Sequence, residues 1–209
     1  MNSNETPTMY LWRKLNAKQR EELLQVRQFN NRPWHSPQHY ESQSGGYLLT
    51  AACYEHRHVI GLNPQRIASF AEALLAVLDI HCENVHAWCV LPNHYHTLIL
   101  TRRLPEVLQA IGQLHGRTSF DWNGQENERG RKVWFNCAET GMKSERHFWA
   151  TLNYVHHNPV HHGYVQHWQD WPFSSGAAFL EQTGREKAAQ LWREYPILEF
   201  GKDWDAPDL

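Results

Sequence analysis

Two histidines separated by one residue, His94 and His96, open the apolar run that ends at Leu100. On a β-strand, alternate residues share a face and stand about 6.5 Å apart. The two imidazoles therefore converge and Tyr95 turns away. A converging histidine pair can hold one divalent metal ion. Taken alone it more often marks an ordinary half-buried strand face, so the rest of the chain must decide.

A second constellation lies near Ser144–His157, which reads as a helix with Ser144 as N-cap and Pro159 as its stop. Its apolar stripe is Phe148, Trp149, Leu152 and Val155, and at 100° per residue Tyr154 falls off that stripe. Tyr154 shares a face with His147, Thr151 and Asn158. Residues four apart on a helix are neighbours, so the Asn158 amide oxygen comes near the Tyr154 hydroxyl if the last turn stays helical. Pro159 works against that condition. A phenol with a reference pKa of about 10 is ionised only about once in a thousand molecules at neutral pH. A metal ion that polarises a phosphate supplies the missing help. Two strand histidines, an amide oxygen and a tyrosine one turn away serve one purpose together: phosphodiester cleavage through a phosphotyrosine link.

The elements that must position these groups follow from periodicity and breakers. Residues 1–9 are polar, and Tyr10–Phe29 reads as a short amphipathic helix with a basic side. Asn30–Gly46, with Pro33, Pro37 and paired glycines, reads as a linker. Tyr47–Tyr54 is a first strand, and Asn63-Pro64 caps and opens a helix carrying Ile67, Phe70, Leu74, Leu75 and Leu78. Val85–Leu91 and Tyr95–Leu100 are antiparallel strands joined through Pro92-Asn93. Leu104-Pro105 opens a second helix that fades into Asn123–Gly130, and Lys132–Ala138 reads as strand four. The order β-α-β-β-α-β predicts an α+β fold: a ferredoxin-like sandwich with an antiparallel sheet and helices on one face. A polar helix near Thr183–Glu194 and a frayed Gly201–Leu209 close the chain.

Composition sets the bounds. The 209 residues, 41% of them hydrophobic, suit one well-packed domain with extensions. A formal charge of -2 gives no bulk sign of a nucleic-acid partner and leaves only a local basic groove. Cys53, Cys82, Cys89 and Cys137 show no paired spacing and read as reduced thiols. No signal-like start and no apolar run of membrane-spanning length are present, which places the protein in the cytoplasm and away from membranes.

The runs Leu91-Pro-Asn-His94-Tyr-His96, Tyr154-Val-His-His-Asn158-Pro-Val160 with Gly163 and Val165, and Trp171-Pro-Phe-Ser-Ser175 together resemble the REP-associated tyrosine transposases. These are a branch of the single-tyrosine HUH transposases, and the resemblance covers roughly residues 45–180. It implies a ferredoxin-like core and a metal-dependent single-stranded DNA endonuclease and strand transferase acting beside REP-like hairpins. By resemblance His94 and His96 are metal ligands, Asn158 is the third ligand, and Tyr154 is the nucleophile that keeps the 5′-phosphate. The hard oxygen ligand and the phosphate favour Mg²⁺ or Mn²⁺. Tyr95 stands where the family has a plain aliphatic residue. The implied organisation is an arm and linker over 1–44, the catalytic domain over 45–165 and an extension over 166–209, working as a monomer or homodimer. The rival readings are a hairpin-DNA-binding protein without cleavage, and a phosphoesterase acting through water with Tyr154 only positioning substrate.

Several other residues are candidates of lower rank. His157 takes the third ligand position if Asn158 is turned away. Arg102, Arg103, Arg117, Arg131 and Lys132 are the best local cations for a DNA path. His56-Arg57-His58 falls in a charged turn and reads as exposed, while His156, His161 and His162 contact phosphate or water. Trp168, Trp171 and Phe173 pack the extension on the core or stack on bases.

Overall fold

The histidine pair lies on a central strand of a four-stranded antiparallel sheet. The structure, a computed structural model, describes Asn16, Lys18, Gln19 and residues 45–197. The chain divides into two units, Met1–His39 and Tyr40–Leu209, and the sheet belongs to the second. Of the helix expected over Tyr10–Phe29, the described residues show one detail. The backbone N–H groups of Asn16 and Gln19 each donate to the other's side-chain oxygen, at 3.0 and 2.9 Å, a reciprocal helix cap. The remainder of that helix, the linker before residue 45 and the frayed C-terminus lie outside the described residues.

Strand β1 is Gly46–Ala52, helix α1 Pro64–His81, β2 Asn84–Val90 and β3 His94–Leu100. Helix α2 is Leu104–Gln125, β4 Ala138–Gly141, α3 Glu145–His161, α4 Gly176–Thr183 and α5 Arg185–Glu194. Strands lie in the order β2-β3-β1-β4. The Asn63 side chain accepts the Arg66 backbone N–H at 2.8 Å, so α1 begins where the Asn-Pro pair predicts.

The fourth strand departs from the sequence reading. Lys132–Ala138 is the apolar, β-favouring choice, yet as far as Cys137 it forms no strand and meets β1 around one isolated bridge, Cys53 with Trp134, flanked by Phe135 N–H on the Ala52 carbonyl. Trp134 is instead stacked on His115 at 4.2 Å and on Phe70 at 5.1 Å between ring centroids. The ladder resumes at Ala138–Gly141, residues of poor strand propensity held by pairing with Tyr47–Thr50. The open edge of β1 decides the strand here, because propensity yields to packing.

Alternation sorts the sheet into two cores. Tyr47, Leu49, Ala51, Val90, Tyr95 and Ile99 pack with Ile67, Phe70, Leu74 and Leu78 of α1 and with Val107, Ile111 and Leu114 of α2. Leu48, Ala87, Cys89 and Leu98 face the other way, with Leu152, Tyr154 and Val155 of α3. The two expected helices share one face, and the helix bearing Tyr154 covers the other.

Residues beyond α3 protect the outer edge of β2. Val90 donates its N–H to Phe173 at 2.8 Å, Ser175 to Trp88 at 2.9 Å, and Trp171 Nε1 to the Val90 carbonyl at 2.9 Å. A covered edge strand offers no template for a foreign strand. Trp168 stacks on His156 and Trp192. Helix α5 meets the expected C-terminal helix, and α4 is one the sequence reading missed. Among the described residues no helix is long and apolar enough to cross a membrane.

Candidate active site

The β3 pleat does what the spacing predicts. His94 and His96 lie on the α3 face with ring centroids 5.0 Å apart, and Tyr95 is fully buried in the opposite core. There the Tyr95 hydroxyl shares a hydrogen bond with His115 Nε2 at 3.0 Å. A phenol between the histidines is thus a packing device that pins β3 from behind.

Each site histidine has an outer partner on its second nitrogen. His94 Nδ1 meets Asn93 Oδ1 and His96 Nδ1 meets Thr50 Oγ1, both at 2.8 Å. Such partners fix ring orientation and aim each Nε2 at α3. Thr50 reaches His96 because the two are direct partners in the β1–β3 ladder. Cross-strand neighbours were the signal that would have found it.

Helix α3 starts as predicted, with Ser144 Oγ accepting the His147 N–H at 3.1 Å. It does not stop before Pro159 but runs to His161, with Pro159 inside its last turn. A terminal motif around Gly163, at φ 72, permits this: Gly163 N–H donates to Val160 and Tyr164 N–H to Pro159, at 3.0 and 2.9 Å. Asn158 therefore remains one helical turn from Tyr154. Tyr154 does not lie on a solvent-facing side, since it is 5% exposed and packed with Leu48, Leu98 and Val155. Helix α3 is covered on a second side as well. Asn153 Nδ2 donates to the Tyr195 carbonyl at 2.9 Å and His156 Nε2 meets Ser175 Oγ at 2.8 Å.

The two elements meet in register. Tyr154 hydroxyl lies 3.3 Å from His96 Nε2, and Asn158 Oδ1 lies 2.9 Å from His94 Nε2. Four helical residues rise about 6 Å and two strand residues about 6.8 Å, so an i, i+4 pair spans an i, i+2 pair when the elements run in opposite directions. The donor set suits a hard divalent cation. The ring nitrogens of His94 and His96 and the amide oxygen of Asn158 are the nitrogen and hard oxygen donors that such an ion takes. His157 is turned to Trp192, 5.7 Å between centroids, and does not join the group.

Comparisons with known proteins bear on the family and the fold. No protein-family model matches the sequence. A curated protein of Haemophilus influenzae named as a REP-associated tyrosine transposase is 34% identical, over 56% of this chain and 70% of that protein. This chain belongs to the REP-associated tyrosine transposases. A solved structure of a REP-associated tyrosine transposase bound to a REP hairpin is similar in fold, with a TM-score of 0.52 and 20% identity, covering 82% of this chain and 93% of that one.

In this transposase a further histidine packs against His94. His162, the C-terminal cap of α3, places its ring 4.9 Å from that of His94. It lies four residues after Asn158, so helical spacing alone could have marked it. The basic candidates separate. Arg102 and Arg103 are exposed beside Glu83 and Glu106, and Arg117 and Lys132 are exposed. Arg131 is turned inward, 13% exposed, with Nη1 donating to Glu126 and Nε to Asn123, both at 2.9 Å. A half-buried pair of that kind braces the loop after α2, which gives Arg131 a structural task.

Proposed function

We propose that this transposase nicks and rejoins single-stranded DNA beside hairpins through a 5′-phosphotyrosine link formed by Tyr154. The observation that carries the reading is the Tyr154 hydroxyl 3.3 Å from His96 Nε2, with Asn158 one turn later at His94, all in one chain. The fold-level likeness to a protein bound to a REP hairpin supports a hairpin partner. The β2-β3-β1-β4 order, with a helix in each crossover, supports a ferredoxin-like core carrying a nucleophile helix.

His94 Nε2, His96 Nε2 and Asn158 Oδ1 are the atoms that would hold Mg²⁺ or Mn²⁺. Such an ion, when bound, would polarise the phosphate and neutralise charge developing on it. The chain's own groups do the rest. Tyr154 oxygen forms a bond to phosphorus as the bond to the 3′ oxygen of the preceding nucleotide breaks. The proton that the phenol loses balances the one the new 3′-hydroxyl gains. Asn93 and Thr50 hold the imidazoles so that no ring reorients during the step. A phosphotyrosine conserves the bond energy, so attack by another 3′-hydroxyl rejoins a strand without a nucleotide cofactor.

A labelled hairpin with single-stranded flanks, incubated with protein and Mg²⁺ or Mn²⁺, is expected to yield a denaturation-resistant protein–DNA adduct and a free 3′-hydroxyl. Tyr154→Phe is expected to yield neither. Cleavage without any adduct would favour hydrolysis by water, and binding without cleavage in every divalent ion tried would favour a hairpin-binding protein.

A further inference from the structure

Beside the histidine pair the sheet carries a second, aromatic feature. Ala52 is the direct β1 partner of His94. On the other side of Ala52 the chain returns, with Phe135 N–H donating to the Ala52 carbonyl at 2.9 Å and Trp134 bridging Cys53. Trp134 and Cys53 belong to the core beneath α1 and α2, so alternation puts Phe135 and Ala52 on the histidine face. The row across the sheet is therefore His94, Ala52, Phe135, two interstrand steps or about 10 Å wide. Its floor is small: Thr50, Ala52 and Ala138 are only half-buried, where Leu48 further along β1 is buried under α3.

Phe135 is paired with a second ring. Tyr54 lies with its centroid 5.0 Å from that of Phe135, tilted by 45°. The exposed Lys132 places Nζ over both rings, 4.9 Å from Tyr54 and 5.4 Å from Phe135. The Tyr54 segment is also fastened to the metal-site strand. Cys53 N–H donates to the Asn93 carbonyl at 2.7 Å, and Asn93 Nδ2 donates to the His56 carbonyl at 3.2 Å. Asn93 is the residue whose Oδ1 orients His94. The turn that makes this link sets two successive non-glycine residues, Glu55 at φ 59 and His56 at φ 50, in the left-handed region. Such backbone costs free energy and persists where the surroundings impose it, a recurrent mark of functional sites.

We propose that Tyr54 and Phe135 form a stacking platform for the base of a nucleotide flanking the scissile phosphate, with Lys132 on that nucleotide's phosphate. The platform rests on the single-stranded DNA reading above. Aromatic faces beside a cation are how sequence-tolerant single-strand sites are built, because every base has a π-face. The lysine ammonium stands over the ring faces now. Its flexible four-carbon stem lets it swing to the backbone when a base slides beneath it. The link through Asn93 sets the distance between base and nucleophile in advance.

The test uses full-length Tyr154→Phe protein, which binds without cutting, and a hairpin whose single-stranded flank carries one abasic nucleotide at a time. On the intact flank, Phe135→Ala and Tyr54→Ala are each expected to weaken binding on the order of ten-fold. Phe135→Leu, which keeps apolar volume without a π-face, should lose nearly as much, and Phe135→Trp should bind as the parent does. At one flank position an abasic nucleotide should weaken the parent by a similar factor and the Phe135→Ala protein hardly at all. Equal abasic losses in parent and variant at every position, or full binding by Phe135→Leu, would overturn the platform. Adduct formation by the Tyr154 protein is scored separately. Its absence alongside the Phe135-dependent abasic effect would sink the cleavage reading and leave the platform standing.

Discussion

The Asn158 amide oxygen stands 2.9 Å from His94 Nε2, and Asn93 Oδ1 meets the other ring nitrogen at 2.8 Å. An uncharged amide buried at 1% exposure against an imidazole nitrogen supplies the hard oxygen of the proposed ligand set. Replacing Asn158 by Ala is expected to weaken Mn²⁺ binding by more than about ten-fold. Asn158→Asp should strengthen it, since a carboxylate adds charge. Calorimetric titration with Mn²⁺ checks both, and unchanged affinity in Asn158→Ala would remove Asn158 from the ligand set.

Thr50→Val and Asn93→Leu leave the proposed ligands in place and remove what orients them. Each is expected to lower Mn²⁺ affinity by about ten- to a hundred-fold while thermal melting shows a folded protein. Affinity equal to the parent's would mean that the rings are held by packing alone.

Gly61 presses on the turn that leads into His94, and its N–H donates to the Pro92 carbonyl at 2.9 Å. A Cβ at Gly61 would come within 2.6 Å of Pro92 Cα, so one backbone segment must move. Gly61→Ala is expected to cost about 2 kcal/mol, a fall in Tm of roughly 4–8 °C. Adduct formation should fall with it, because Pro92 and Asn93 carry His94. An unshifted Tm in a thermal melt would contradict the close approach.

Burial lowers the His115 pKa to about 4, so His115 stays neutral in the native protein while an unfolded histidine titrates near 6.5. As pH falls below about 6.5 the unfolded chain takes up a proton that the native chain refuses. Stability therefore declines down to the native pKa of about 4 and then levels. Between about pH 7.5 and pH 5 the loss from this group is about 2 kcal/mol. His115→Gln, which keeps a hydrogen-bonding partner for the Tyr95 hydroxyl, should remove that part of the slope in urea melts at the two pH values. An unchanged slope would assign the acid sensitivity elsewhere.

How much of this was legible in the sequence depended on whether a residue's task is set by its own element or by a neighbour's. The histidine pair followed from strand alternation, the starts of α1 and α3 from their Asn63 and Ser144 caps, and the β2–β3 turn from Pro92 and Asn93. The surroundings of Tyr154 did not follow. A single apolar stripe implies one wet side, whereas α3 is packed between the sheet and the segments near Ser175 and Tyr195. The passage of α3 through Pro159 depended on a cap four residues later. Arg131 looked like any surface cation until Glu126 and Asn123 closed around it. Phe135 lies within the run that reads as strand four, and nothing local says that the chain comes back beside Ala52.

The match between α3 and β3 also constrains descent. A helix and a strand count residues at different rates, so the two rulers agree at one setting only. One residue gained or lost between Tyr154 and Asn158 would swing the amide about 100° around the helix and away from His94. One residue gained between His94 and His96 would send one imidazole through the sheet to the Tyr95 side. A lineage carrying this site is free to lengthen the loop after α2 or the tail beyond α5, where no such count is kept. Its two short motifs must be inherited at fixed length, and that makes their spacing a more durable signature of the site than the identity of most residues around it.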